Sequence, residues 1–165
     1  MKKCIILQIN YLILICLFIP CVAIAQPICQ IQRFSAYNGL AQRSVTNILQ
    51  DSKGFIWFST WNGLNKFDGY TFKNYKAFPG DGCTLTSNRL AKITQTQTCD
   101  IWCQTYDLRI YLFDSRREKF IDILRPYENE KQQTYAVQNV YTLPKGVSWI
   151  VCDRGAFRID VQAYK

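Results

Sequence analysis

The chain has 165 residues, the size of one ordinary domain, and 15% aromatic with 19% charged residues excludes a disordered polymer in favour of a strand-rich folded one. The formal charge of +8 includes Lys2 and Lys3; the remainder holds 18 basic against 12 acidic residues with no basic block, which suits a soluble surface and argues against direct nucleic acid binding. There is no histidine, so a Ser-His-Asp or Cys-His nucleophile, a His-ligated metal and a phospho-accepting histidine are all excluded, along with the commonest general acid–base at neutral pH.

The first predicted element is a leader. Met1-Lys2-Lys3 precedes an apolar stretch from Cys4 to Ile24, which closes with Ala23-Ile24-Ala25 before Gln26. A basic start, an apolar middle and a small-x-small ending are the three parts of a secretory signal peptide. Residues 1–25 are therefore expected to direct export, with cleavage after Ala25 and a short linker over 26–33. Gln8, Asn10 and Pro20 interrupt an apolar stretch that is long for such a leader, and a retained membrane anchor is the alternative. Pro20 directly before Cys21 argues against a lipoprotein site. Beyond the leader stand Cys29, Cys83, Cys99, Cys103 and Cys152. An odd number at irregular spacing is no disulfide framework. Cys99 and Cys103 lack the second pair a tetrahedral metal site needs, so the five are expected as buried or partly buried thiols. No metal and no cofactor is read from the sequence.

From residue 34 onward the chain repeats. Gly54-Phe55-Ile56-Trp57-Phe58-Ser59-Thr60, Cys99-Asp100-Ile101-Trp102-Cys103-Gln104-Thr105 and Gly146-Val147-Ser148-Trp149-Ile150-Val151-Cys152 stack on tryptophans 45 and 47 residues apart. Nine residues before each tryptophan lies an aliphatic residue, Ile48, Ile93 or Val140. Farther on, Phe67-Asp68, Phe113-Asp114 and Ile159-Asp160 place aspartates 46 and 46 apart. The first period divides into four short strands, 45–50, 55–60, 64–67 and 71–75, separated by Asp51-Ser52-Lys53-Gly54, Trp61-Asn62-Gly63 and Asp68-Gly69. Those are turn sequences, and the runs between them are β-branched and aromatic and too short for a stable helix. A four-stranded unit of this length is a propeller blade. The expected fold is all-β: an incomplete β-propeller of about three four-stranded antiparallel blades over 34–78, 79–124 and 125–165. Trp57, Trp102 and Trp149 are expected to pack blade against blade, with Asp68, Asp114, Asp160, Gly63 and Gly155 as the other repeat residues.

Strands in a blade alternate direction, so the second-to-third turns and the links between blades emerge on one face. That face is expected to carry 38–43 and 61–63, then 82–88 with Tyr106 and Asp107, then Asp153 and Arg154. It is rich in residues that stack on and hydrogen-bond polar ligands. Arg43, Trp61, Asn62, Tyr106 and Arg154 are the candidate ligand-binding residues, and no catalytic residue is proposed.

Gly39-Leu40, Val45, Ile48, Gln50-Asp51, Gly54-Phe55-Ile56-Trp57, Thr60, Gly63-Leu64 and Phe67-Asp68-Gly69 closely resemble the two-component regulator propeller repeat. The second period departs from that pattern, with Arg109 where Gly63 would fall and Thr96 in place of Asp51. The third keeps Trp149, Gly155 and Asp160 but has Leu143 at the Asp51 position. The resemblance runs from about residue 34 to the end. It implies a periplasmic sensor of a hybrid two-component system, anchored in the inner membrane and a dimer when full length, whose kinase part lies outside this sequence. It also implies an oligosaccharide ligand and a role in controlling polysaccharide utilisation. Three blades fall short of the 4–8 of a closed propeller, so further blades are expected as partners and the chain reads as the front edge of a longer sensor. A standalone periplasmic scaffold without signalling output is the alternative, and a propeller enzyme is the reading least favoured by a chain without histidine.

Overall fold

The computed structural model describes residues 29–78 and 85–164, with side chains to residue 162. The leader, the position of Cys83 and the start of the 82–88 segment lie outside the described residues. The chain divides into two units, residues 1–32 and 33–165, and every sheet described below belongs to the second.

That unit is three antiparallel meanders in succession. The first runs β1 (Val45–Gln50), β2 (Ile56–Thr60), β3 (Gly63–Phe67) and β4 (Phe72–Tyr75), paired in chain order. The second repeats it with β5 (Leu90–Gln95), β6 (Ile101–Thr105), β7 (Ile110–Asp114) and β8 (Lys119–Asp122). The third contains β9 (Val137–Thr142), β10 (Val147–Cys152) and β11 (Gly155–Asp160). Register follows the sequence period: Leu49 pairs with Trp57, Thr94 with Trp102 and Tyr141 with Trp149.

The turn between β1 and β2 shows why the repeat carries Asp six residues before Trp. Asp51 Oδ1 accepts the Lys53 and Phe55 backbone N–H groups, each at 2.9 Å, and Oδ2 accepts the buried Trp57 indole N–H at 2.8 Å. One carboxylate thus shapes the turn and satisfies the donor of the core residue. In the second sheet Thr96 keeps only the turn, bonding Asp100 N and O. The Trp102 indole turns instead to Ser148 Oγ of the next sheet, at 3.0 Å.

Two apolar layers hold the three sheets together. Trp57, Leu64 and Tyr75 of the first meet Leu90, Ile93, Cys103, Tyr111 and Phe113 of the second. Trp102, Ile110 and Leu112 on the opposite face of the second meet Val140, Ile150 and Cys152 of the third. Trp57 stacks on Tyr75 and meets the Phe113 ring edge-on. At the rim, Lys73 Nζ lies 2.7 Å from Glu118 and the Tyr75 hydroxyl donates to the same carboxylate.

Three details differ from the sequence expectation. The third sheet has three strands rather than four among the described residues. Between β8 and β9 lies an unanticipated helix, α1 (Arg125–Lys131). Seven residues cannot hold a helix alone; Asp122 Oδ1 accepts the Arg125 N–H at its start, and Glu128 is fastened to Arg109. Finally, Trp149 is 38% exposed where Trp57 and Trp102 are 2% and 1% exposed. It occupies the same register position, but it looks away from the second sheet, and no described sheet lies across its side.

Candidate functional site

The turn face is defined by a hydrogen bond that recurs in all three sheets. Trp61 N donates to Ser44 O, Tyr106 N to Arg89 O and Asp153 N to Ala136 O. Each bond ties a second-to-third turn to the entry of its own sheet. Successive sheets are linked on the same face, since Gly63 N donates to Asn88 O and Val137 N to Leu108 O. Turns and links therefore emerge together, as strand alternation requires.

Gly63 makes this approach possible. It holds φ +96°, and a Cβ there would lie 2.3 Å from Tyr75 O and 2.9 Å from Lys76 Cβ. In the second sheet the Arg109 carbonyl accepts from both the Thr105 N–H and hydroxyl, as the Gly63 carbonyl accepts the Thr60 hydroxyl. The extra residue of that turn puts Leu108 at φ +61°. Asn65, fully buried, braces the face from below: its Oδ1 accepts Ala41 N at 2.7 Å, and its Nδ2 donates towards Phe58 O and Gly63 O.

Of the five candidate residues, two are brought together. The Trp61 and Tyr106 rings meet edge to face with centroids 6.1 Å apart. They remain 41% and 53% exposed. Asn62 is half-buried and committed to the turn, its N–H bonded to Thr60 Oγ1 and its Nδ2 to Ala41 O. Arg43 is exposed on the entry to β1. Arg154 lies in the third sheet's turn, 3.6 Å from its neighbour Asp153, and joins neither aromatic ring. The residue missed from sequence is Arg89, whose guanidinium lies 4.7 Å from the centroid of the Trp61 ring. Its position was a findable signal, because Ser44, Arg89 and Ala136 each stand 13 residues before a repeat tryptophan.

A second charged cluster joins α1 to the second sheet. Arg109 donates to both oxygens of Glu128, at 2.9 and 2.7 Å, and to Asp122 Oδ2 at 3.1 Å. Burial alone would lower the guanidinium pKa, but the two carboxylates outweigh it and raise it. Glu128 also accepts the Tyr135 N–H, and Asp122 the Arg125 N–H. Every member is engaged with protein, which marks a structural clasp.

The two buried thiols are poor nucleophiles. Burial pushes the Cys103 thiol well above its ordinary range, and burial with the nearby Asp153 and Glu128 carboxylates raises Cys152. Cys99 meets Ser52 Oγ at 3.3 Å across the seam between the first two sheets, and Cys29 is exposed. Cys99 and Cys103 thus have separate environments. Among the described residues no group of three or more His, Cys, Asp or Glu side chains could hold a metal ion, and no helix is long and apolar enough to cross a membrane.

Comparison with known proteins agrees with this geometry. Residues 39–62 match the family model for the two component regulator propeller. Over 53 residues the chain is 47% identical to Histidine kinase P4 of Formosa agariphila, a match that spans 32% of this chain and 4% of the kinase. Among solved structures it is similar to the extracellular domain of BT3049 from B. thetaiotaomicron, described as a hybrid two component system. That match has 27% identity and a TM-score of 0.65 over 80% of this chain and 19% of the other. The extracellular domain of BT4673 from the same organism gives a TM-score of 0.56 at 20% identity over 81% of this chain and 19% of its own, which speaks to the fold alone. The chain thus spans about a fifth of the length of these structures and a far smaller share of the kinase.

Proposed function

Starting from a chain that carries two-component regulator propeller repeats, we propose that it is a ligand-sensing segment of a two-component sensor, acting in the periplasm. Residues 1–25 direct its export, and the blades 34–78, 79–124 and 125–165 form one part of a propeller that further blades complete. The ligand is an oligosaccharide, and binding is relayed to a kinase part that controls polysaccharide utilisation, with the full-length sensor acting as a dimer. The segment itself binds and does not catalyse. It has no histidine, and both buried thiols are held protonated.

The observation that carries this reading is the exposed Trp61–Tyr106 pair on the turn face. Aromatic faces are the protein's principal means of gripping the apolar face of a sugar ring while its hydroxyls find polar groups around the rim. Calorimetry with a panel of oligosaccharides tests it. Alanine at Arg43, Trp61, Tyr106 and Arg154 should abolish binding of whichever glycan the wild type takes up, with the melting temperature unchanged. Unaltered affinity would remove the site assignment. The alternative, a scaffold without signalling output, draws on the half-exposed Trp149 beside Tyr141, a sheet face suited to protein contact. It is favoured if no glycan binds while a protein partner protects Trp149 from solvent quenchers.

A further inference from the structure

The three sheets provide an internal control on what the fold requires at the turn face. At the position that donates to the strand entry they carry Trp61, Tyr106 and Asp153, and at the accepting position Ser44, Arg89 and Ala136. Both partners use backbone atoms, so the repeat is indifferent to the side chains. The backbone bonds do not call for large side chains there, yet at the seam of the first two sheets the exposed Trp61 ring meets both the Tyr106 ring and the Arg89 guanidinium.

The geometry of Arg89 gives the chemistry. Its guanidinium lies against the Trp61 ring, 4.7 Å from the centroid. A guanidinium held against a ring by cation–π attraction does not use its N–H donors for that contact. Arg109 shows the opposite case, with its donors claimed by Glu128 and Asp122. Among the described residues no carboxylate lies within ion-pair distance of Arg89. The carboxylate of Asp107, next in sequence to Tyr106, accepts from the Thr86 hydroxyl at 3.3 Å. An exposed planar cation with open donors, fixed on an aromatic ring beside a second ring, matches an anionic group in bidentate geometry next to a stacked ring.

We propose that Arg89 is the anion-recognising residue of this face, and that it selects saccharides bearing a carboxylate or sulfate whose ring packs against the Trp61–Tyr106 pair. This rests on the sensing reading above and deepens it by naming the ligand's charge. The chain's surplus of basic residues favours the same class of ligand.

The test titrates the chain with four probes: oligogalacturonate against cello-oligosaccharide, and a sulfated dextran fragment against the unsulfated one. Calorimetry and tryptophan fluorescence are read at low and high salt for wild type, W61F, R89K and R89Q. One of the two anionic probes should bind at least tenfold more tightly than its neutral counterpart, and the pair that responds distinguishes carboxylate from sulfate. R89Q should lose that preference, its affinities for the charged and neutral probes of the responding pair becoming equal within twofold. R89K should lose most of it, since an ammonium lacks the planar fork. Salt should weaken only the charged complex, and W61F should lose the fluorescence response. Arg89 is exposed and its equivalents are Ser44 and Ala136, so an unchanged melting temperature certifies the variants. Equal binding of charged and neutral probes, or an R89Q chain that keeps the preference, overturns the proposal and leaves glycan sensing standing. No binding of any probe removes both.

Discussion

Replacing Asp51 by alanine should destabilise the chain by about 3 kcal/mol, most of it through a single orphaned indole. The carboxylate is 9% exposed and accepts three bonds, two from the turn backbone at Lys53 and Phe55 and one from Trp57 Nε1. Lys53 is exposed and Phe55 only half-buried, so water can replace the carboxylate at the turn, at a cost of roughly 1 kcal/mol in all. Trp57 is 2% exposed, packed between Tyr75 and Phe113. Its N–H would have no partner, which costs about 1–3 kcal/mol. Equilibrium denaturation in urea, followed by tryptophan fluorescence and circular dichroism, measures the sum. W57F removes the donor and keeps a ring in place, so D51A/W57F should fall short of the summed single losses by about 1–2 kcal/mol. The second sheet supplies the contrast. T96A should leave Trp102 untouched, because that indole bonds Ser148, whereas S148A should cost about 1–2 kcal/mol. A D51A chain within about 0.5 kcal/mol of wild type, the range of an inert surface change, would refute the clamp, as would additive losses in the double variant.

Two further outcomes follow from local geometry. G63A should cost about 3 kcal/mol or more, because its Cβ would collide with the Tyr75 carbonyl in a left-handed conformation. G54A should cost only about 1 kcal/mol, since nothing lies within 4 Å of a Cβ there and Cys99 already adopts φ +65° at the corresponding turn; thermal melts of the pair separate collision from conformational strain. R109M should cost about 3 kcal/mol by leaving the largely buried carboxylates of Asp122 and Glu128 uncompensated. Limited proteolysis should then cut first within 125–135, and E128Q in the same chain should restore part of the loss.

The fold was legible because a blade uses the same chemistry each time. Strand limits followed from runs of apolar and β-branched residues between Asp and Gly turns, and β1 to β4 lie within one residue of expectation. The turn face followed from strand alternation alone. What was not legible depends on contacts that period and composition do not encode. The helix at Arg125–Lys131 exists because Arg109, at a position where the first repeat has glycine, reaches a glutamate 19 residues away. Read in one dimension, Arg109 is merely a departure from pattern. Trp149 shows the converse limit: the motif fixes its register opposite Tyr141, but burial belongs to whatever lies across the sheet. Arg89 carries no repeat signature of its own, since its equivalents are Ser44 and Ala136 and only its register with the entry to β1 marks its place.

That alignment separates scaffold from site more sharply than any single blade could. Where all three sheets need the same function, the residues change but the job persists: Gly54, Cys99 and Gly146 all hold positive φ before the second strand. Ser148 replaces Asp51 as an indole acceptor when Thr96 cannot reach. Such substitutions are solutions to one packing problem, and a variant at any of them should register as lost stability. Where the job is done by backbone atoms, as at Ser44, Arg89 and Ala136, side chains are free to differ without cost to the blade. Trp61, with Tyr106 and Arg89 against it, is a large exposed set of that kind, and the expected outcome of altering it is a change in binding rather than in stability. The two classes give opposite signatures in the same two measurements. Variants at Asp51, Gly63 and Arg109 should move the melting temperature, and those at Trp61, Arg89 and Tyr106 should move affinity alone.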